Sequence, residues 1–419
     1  MADQLNGKEK RALEAIDMAG LLTYLDEIVS LQSLDGVETA VQLNIAQKMR
    51  ALGMEVDEWQ IDFNQVRQHP AYCEEVIRDE GVGVVGIMGN GNGKSLILNG
   101  HTDVVPAGDE ANWTVDPWRA TVKDGNVYGR GALDMKGGLV CAIFAAKAIM
   151  DAGIELDGKL MIQAVIGEED GGVGTLATCL RGYSADAAII MEPTELMVAP
   201  AQAGCLNFRI TIPGYAAHGA VRLEGHDPIA KFIPIFQAIM AFEAERNATI
   251  KDLRFDNYKL PYPICIGTIQ AGNWASTVAE CLTFEGRYGV AVEEDADEAR
   301  RQFEAVVHHA AQNEPFLQEN PPKVEWWGGQ FESAGIDPSH PIVKTVSDAF
   351  SQITGQPPIQ QGMTYGADMR LLVRYANTPT IMFGAGDVRK AHQPDEFVPL
   401  DELETLVKTL TLTILRMCG

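Results

Sequence analysis

Short apolar runs alternate with amphipathic stretches over residues 1–202 of the chain. Apolar side chains that recur every three or four residues predict helices, and short unbroken apolar runs predict buried strands. The predicted helices cover residues 13–31, 39–52, 137–152 and 175–181. The predicted strands cover residues 55–63, 82–88, 95–99, 159–166 and 187–191, and 82–88 with 95–99 form a hairpin-like pair. This alternation indicates an α/β domain with a largely parallel sheet, whose ligands lie at the carboxyl ends of strands.

The pattern changes near residue 203. Predicted strands at 205–212, 265–269, 283–290 and 324–327 combine with predicted helices at 228–246 and 296–312. Their order, β-α-β-β-α-β, is that of the ferredoxin-like fold. After residue 338 the α/β pattern resumes with elements at 341–354, 379–383 and 400–417. We therefore expect one domain from residues 1–202 and 331–419, with a second domain inserted as residues 203–330.

Five short polar breaks interrupt the apolar runs, and each presents a side chain able to bind a metal. They contain His101 with Asp103, Asp134, Glu168 with Glu169, Glu192, and His392. Acids gathered at strand ends repel one another unless a cation lies between them. Imidazole and carboxylate groups are ordinary ligands of divalent metals. The breaks therefore predict a pair of divalent metal ions.

Each break also has a structural explanation when it is taken alone. Asp134 directly precedes a predicted helix, which suits an N-cap, and His392 suits an ordinary loop position. His101 and Asp103 are two residues apart, so they project from one face of an extended strand. Such a carboxylate can orient a metal-bound imidazole. The joint occurrence of the breaks, in this order, favours the metal site.

Composition narrows the class of protein. The chain of 419 residues has 33 Lys and Arg against 58 Asp and Glu, a formal net charge of −25. Nucleic acid and anionic membranes need a basic surface, so neither is an expected partner. Seven scattered cysteines without a CxxC pair indicate structural thiols in a reducing compartment. The amino-terminal residues contain no apolar signal core, and we expect a cytoplasmic location.

Five motifs carry a resemblance to a known family. HTDVVP, GRGALDMKGG, GEED, EPTE and AHQPDE resemble, in order and spacing, the motifs of the M20-type metallopeptidases. That family includes acetylornithine deacetylases, succinyl-diaminopimelate desuccinylases, aminoacylases and carboxypeptidase-like enzymes. The resemblance extends over essentially the whole chain. It implies an α/β, zinc-peptidase-like catalytic domain with a mostly parallel mixed sheet, and an inserted ferredoxin-like α+β lid and dimerisation domain.

The resemblance also implies a set of metal ligands. Two zinc ions, for which Co²⁺ or Mn²⁺ can substitute, would be bridged by Asp134. One ion would also be held by His101 and Glu192, and the other by Glu169 and His392.

Three further catalytic roles follow from the resemblance. Asp103 would orient His101, and Glu168 would be the general base. His218 would stabilise the tetrahedral oxyanion, from the same subunit or from its partner in a homodimer formed through the inserted domain. The peptide bond between residues 134 and 135 would be cis.

Substrate contacts are less closely defined. Arg370 matches a position where relatives bind a substrate carboxylate, and a salt bridge to Asp368 is the structural alternative. Either Asn273 or Ser276 would contact substrate. Residues 64–72 form an extra segment that many short members lack, and it would shape a pocket of this subfamily.

The expected activity is hydrolysis of the amide of an N-acyl amino acid or a related small amide, of the acetylornithine deacetylase type. Two close metals polarise the carbonyl and lower the pKa of a bridging water, and Glu168 moves the proton from that water to the leaving amine. A dipeptidase or carboxypeptidase with the same metals is the first alternative. A non-catalytic binding protein on this fold is the second, and it would lack Glu168 or a ligand, whereas this chain has them all.

Overall fold

The computed structural model describes residues 5–73 and 75–419, which divide into two compact units. The first unit runs up to Ala201 and continues with Gly335–Gln361 and Ala367–Gly419. The second unit comprises Gln202–Ala334 and Gly362–Gly366. The predicted domain boundaries, with residues 203–330 inserted, stay a prediction beside this division.

The regular elements follow one another along the whole chain. The helices are α1 Gly7–Glu14, α2 Met18–Ser30, α3 Thr39–Ala51, α4 Phe63–Val66, α5 Gly137–Asp151, α6 Val173–Leu180, α7 Pro228–Thr249, α8 Ala296–Ala311, α9 Pro315–Glu319, α10 Pro341–Thr354, α11 Met369–Tyr375 and α12 Leu400–Cys418. The strands are β1 Glu55–Gln60, β2 Val82–Met88, β3 Ser95–His101, β4 Thr121–Lys123, β5 Asn126–Tyr128, β6 Lys159–Val165, β7 Ala187–Ile190, β8 Ala201–Gln202, β9 Gly204–Pro213, β10 Ile264–Ala271, β11 Cys281–Val290, β12 Lys323–Phe331, β13 Ala334–Gly335, β14 Thr380–Met382 and β15 Phe397–Pro399.

The main sheet of the first unit has the strand order β1-β2-β6-β3-β7-β14. Strand β3 runs parallel to both β6 and β7, and β14 runs parallel to β7, whereas β1 and β2 are antiparallel additions at one side. Helix α5, which is apolar on nearly all faces, is buried over almost its whole length. The mostly parallel mixed sheet confirms the predicted α/β class. Its four parallel strands end at one edge, where ligands of such sheets bind.

The predicted hairpin of residues 82–88 and 95–99 is wrong. Strand β6 lies between β2 and β3, antiparallel to the first and parallel to the second. The turn after β2 instead bonds to the residues just before β6. The Asn90 N–H donates to the Leu156 carbonyl at 3.0 Å, and the Gly91 N–H donates to the Gly158 carbonyl at 3.1 Å.

The predicted helix at 13–31 is two helices in the structure. The break falls at Asp17, whose carboxylate accepts a hydrogen bond from the Gly20 N–H at 2.8 Å and so caps α2.

The second unit contains a four-stranded antiparallel sheet with the order β10-β11-β9-β12. Side chains of β9 alternate between buried and half-buried positions along the whole strand, as one covered face of a sheet requires. The covered face packs on an aromatic core in which the ring centroids of Phe208 and Phe303 are 4.7 Å apart. This arrangement confirms the predicted ferredoxin-like unit.

Among the helices of the described residues, none is both long enough and apolar enough to cross a membrane.

Candidate metal centre

Side chains able to bind a metal gather where parallel strands of the first unit end. His101 is the last residue of β3, Glu168 and Glu169 follow β6, and Glu192 follows β7. Asp134 lies in the turn before α5, and its carboxylate is within hydrogen-bonding distance of the His101 ring. The N-cap alternative for Asp134 is wrong, because α5 begins at Gly137 without a side-chain cap.

Asp134 lies between two histidines. Its Oδ1 is 3.1 Å from Nε2 of His101, and its Oδ2 is 3.5 Å from Nε2 of His392. Each ring nitrogen also has a glutamate nearby. Oε1 of Glu192 is 3.9 Å from Nε2 of His101, and Oε1 of Glu169 is 2.9 Å from Nε2 of His392. Asp134 thus offers one oxygen to the group of His101 and Glu192 and the other oxygen to the group of His392 and Glu169. Two metals that share one carboxylate need this arrangement. The assignment of individual ligands stays a prediction.

The donor atoms fit a divalent cation. Those of His101, Asp134 and Glu169 lie within 4.8 Å of one another, and so do those of His101, Glu168 and Glu192. Oε1 of Glu192 is buried, and no described residue donates a hydrogen bond to it. A buried carboxylate oxygen without a donor is costly unless a cation compensates it. Imidazole nitrogen with carboxylate oxygen suits zinc and similar metals.

Two acids of the cluster, Glu168 and Glu192, are disfavoured in their charged form where no cation offsets them. Burial and the charge of Glu192 raise the pKa of Glu168 well above its usual range, and burial and the charge of Asp134 do the same for the pKa of Glu192. Hydrogen bonds to Asp134 and Glu169 raise the pKa of His392 to about 10. A metal that binds here therefore displaces protons.

Asp103 lies beside His101 and offers it both its carboxylate and its backbone oxygen. Its carboxylate Oδ1 is 3.7 Å from Nδ1 of His101, whereas its backbone oxygen is 3.0 Å from the same nitrogen. The carboxylate Oδ2 instead accepts the Glu169 N–H at 3.0 Å. The Asp103 side chain thus also joins the end of β3 to the turn after β6, and its role in orienting His101 stays a prediction.

The turn that carries Asp134 is held by Glu396, a residue to which the sequence assigned no role. Oε1 of Glu396 accepts the N–H groups of Gly131 at 2.9 Å, Leu133 at 3.2 Å and Asp134 at 3.3 Å. Its other oxygen forms an ion pair with the buried Arg130. The bond between residues 134 and 135 is cis, as the resemblance implied. Arg130 lies in the GRGALDMKGG motif and Glu396 in the AHQPDE motif, and these positions were the sequence signal that could have identified them.

Arg370 lies fully inside the first unit. Its guanidinium donates to the Gly171 carbonyl at 2.8 Å and to the Ala71 carbonyl at 3.5 Å. These contacts join the backbone at Gly171 to the backbone at Ala71, which is a structural role. Its role in binding a substrate carboxylate stays a prediction.

Three predicted residues lie in exposed loops of the second unit. His218 follows β9, and its Nδ1 accepts the Ala220 N–H at 3.2 Å. The neighbouring Gly219 N–H donates to the Ser276 carbonyl at 2.7 Å, so these two loops are adjacent. Asn273 lies three residues before Ser276 and is exposed. The structure therefore brings His218 and Ser276 together without deciding which polar side chain contacts substrate.

Comparison with known proteins agrees with this arrangement. The sequence model of peptidase family M20/M25/M40 matches residues 97–416. An N-formyl-4-amino-5-aminomethyl-2-methylpyrimidine deformylase from Bacillus subtilis is 28% identical over 438 aligned residues, covering 98% of this chain and 96% of that protein. Human carnosine dipeptidase 1 superimposes with a TM-score of 0.76 at 15% identity, covering 99% of each chain. A dinuclear metal-binding peptidase of Bacillus subtilis gives a TM-score of 0.60 at 16% identity, covering 95% of this chain and 99% of that chain.

Proposed function

Since the chain belongs to peptidase family M20/M25/M40 and is a metal-dependent hydrolase of amide bonds, we propose that it is a di-zinc deacylase of small amides. The proposed substrate is an N-acyl amino acid or a related N-acyl amine. The position of Asp134, with one oxygen near each histidine, carries the proposal of two metals. The deformylase relative makes a formyl group the first acyl group to test.

The proposed ligands of one ion are His101, Asp134 and Glu192. The proposed ligands of the other ion are Glu169, His392 and the same Asp134. Bound divalent ions would polarise the scissile carbonyl and make a water acidic at neutral pH.

Glu168 is the proposed general base. Its side chain is buried, and its carboxylate reaches the same group as His101 and Glu192. Its carboxylate oxygen would take a proton from the attacking water and deliver it to the leaving nitrogen. This transfer needs a group that changes protonation near neutral pH.

His218 is the proposed donor to the oxyanion. Because Nδ1 accepts the Ala220 N–H, the proton of the neutral ring lies on Nε2, which can then donate. A donor of this kind contributes on the order of 10²–10³-fold to kcat.

We propose that the protein is a homodimer through the second unit. Strand β10 is an edge strand whose side chains are mostly exposed, and helix α7 exposes Ile229, Ile233 and Phe236. An open edge and an apolar helix face beside it are ordinary dimer surfaces. An active monomer in sedimentation at assay concentration would contradict this.

A mixing experiment tests whether His218 acts across the dimer. His218→Ala and Glu168→Gln chains are each expected to be nearly inactive. Random heterodimers contain one site with both residues intact if His218 acts in trans, so about a quarter of wild-type activity should return on re-association. No recovery, with heterodimers demonstrated, would place His218 in its own subunit.

The principal test is a hydrolysis screen of zinc-loaded protein with N-formyl, N-acetyl and N-succinyl amines, together with dipeptides. Glu168→Gln should lower kcat by about 10²–10⁴-fold with both metals retained. Glu294→Gln, which removes a carboxylate paired with Arg246 in the second unit, is the matched control and should keep full activity. Full activity in Glu168→Gln would overturn the mechanism, and cleavage of dipeptides alone would favour the peptidase alternative.

A further inference from the structure

The turn that carries Glu168 and Glu169 is closed by hydrogen bonds between its own backbone groups, one of them from the Gly172 N–H to the Gly167 carbonyl at 2.6 Å. It joins β6 to α6, and it includes Gly167, Gly171 and Gly172, all with positive φ. Within the turn, the Gly171 N–H donates to the Glu168 carbonyl at 3.1 Å. A glycine-rich turn has many accessible conformations, so contacts from outside must fix the two glutamates.

A buried guanidinium supplies such contacts at the end of the turn. Nη1 of Arg78 lies 2.9 and 2.7 Å from the two oxygens of Asp170, the residue after Glu169. The Val76 N–H donates to the same carboxylate at 2.9 Å. On its other side Arg78 donates to Oε1 of Glu38, from Nε at 3.0 Å and from Nη2 at 2.7 Å. The Arg78 side chain is fully buried, so these bonds are shielded from water.

The same guanidinium also packs against the beginning of the turn. A β-carbon at Gly167 would lie 3.0 Å from the guanidinium carbon of Arg78, which shows how closely the planar group approaches the backbone there. A β-carbon at Gly171 would lie 2.1 Å from the carbonyl oxygen of Cys73. Cys73 and Arg78 therefore cover the two ends of the turn, at Gly171 and Gly167.

We propose that Arg78 is a positioning residue, which fixes the turn so that Glu168 and Glu169 point into the metal centre. This inference rests on the proposed function. Arg78 touches neither glutamate side chain in the structure; it acts through Asp170 and Gly167. The planar fork of arginine is needed because it serves three carboxylates at once, those of Glu38, Asp170 and Asp35, which an ammonium group does not reproduce.

The test compares Arg78→Met with Arg246→Met. Arg246 is a matched control, since it is a buried guanidinium in the second unit that bonds both oxygens of Glu294 at 2.6 and 2.7 Å. Both variants should melt at a lower temperature. Arg78→Met alone should bind Zn²⁺ about 10–100-fold more weakly in calorimetric titration of the metal-free protein. It should also lose about 100-fold in kcat at saturating zinc, with KM little changed, because the base is misplaced.

Two further variants keep the proposal testable if Arg78→Met does not fold. Asp170→Asn retains the shape of the side chain and should reproduce part of both losses. Arg78→Lys keeps the charge and should recover only part of the zinc affinity. Wild-type zinc affinity in Asp170→Asn, or equal zinc affinity in Arg78→Met and Arg246→Met, would overturn the proposal.

The zinc titration separates this inference from the proposed function. If the wild-type protein binds zinc but hydrolyses none of the amides, the proposed function fails while the affinity comparison still decides the role of Arg78. If the protein hydrolyses amides and the Arg78 variants match the Arg246 control, only the positioning role fails.

Discussion

Two sets of carboxylates in the first unit differ in their partners. Glu38, Asp170 and Glu396, here called the paired acids, each bond a buried arginine. Asp134, Glu168, Glu169 and Glu192, here called the cluster acids, have no arginine or lysine within ion-pair distance among the described residues. Histidines are the basic groups that approach them.

This difference separates acids that support the site from acids that form it. A buried acid with an arginine partner has a permanent counter-charge, and its bonds fix the backbone around it. A buried acid without one is stable only with a proton or a bound cation. Asp170 and Glu396 lie beside the two turns that carry Asp134, Glu168 and Glu169, so these paired acids support three of the four cluster acids.

The largest expected effect tests the cluster acids directly. Asp134→Ala removes the carboxylate that lies between the two histidines. We expect loss of bound zinc and a fall in kcat/KM of more than about 10⁴-fold, because positioning and electrophilic assistance fail together. Metal content by elemental analysis and initial rates measure it. A variant that retained two zinc ions per chain would show that Asp134 is not shared.

The paired acids should instead respond through stability. Glu396→Gln leaves Arg130 buried without its counter-charge, which should cost about 3 kcal/mol in the free energy of unfolding. Burial raises the pKa of Glu396 to about 7, so the loss should be measured by denaturation at pH 8, where the carboxylate is charged. A loss below about 0.5 kcal/mol, the size expected for an ordinary surface change, would remove the distinction between the sets.

Glu192→Gln should stabilise the metal-free protein, whereas Glu396→Gln should destabilise it. Burial and the charge of Asp134 raise the pKa of Glu192 well above its usual range, so the charged carboxylate is disfavoured in the folded metal-free protein. An amide has no such penalty, and we expect the metal-free variant to gain about 1–2 kcal/mol in chemical denaturation. With zinc added, the variant should be the less stable protein. Destabilisation in both conditions would contradict the idea that the cluster acids await a cation.

The sequence predicted the cluster acids better than the paired acids, for a physical reason. His101, Glu168 and Glu192 each end an apolar run, so a local pattern marks them, and parallel strands bring their ends together. Arg78 and Asp170 are 92 residues apart, and Arg130 and Glu396 are 266 apart, with no periodicity to connect them. The hairpin error has the same origin, since β6 enters between β2 and β3 from a distant part of the chain.

Asp35 lies at the border of the two sets and should show the smallest effect. It is 3.2 Å from Arg78, yet burial and the charges of Asp103 and Asp170 raise its pKa from 3.8 to about 8. Between these pH values the folded metal-free chain holds a proton that the unfolded chain has lost, so stability falls as pH rises. Asp35→Asn should flatten this slope and add roughly 1 kcal/mol or less at pH 8, because its partly exposed side chain is screened by solvent. Melting curves of the metal-free protein from pH 5 to 8 measure it. An unchanged slope would place Asp35 with the paired acids, with its charge fully offset by Arg78.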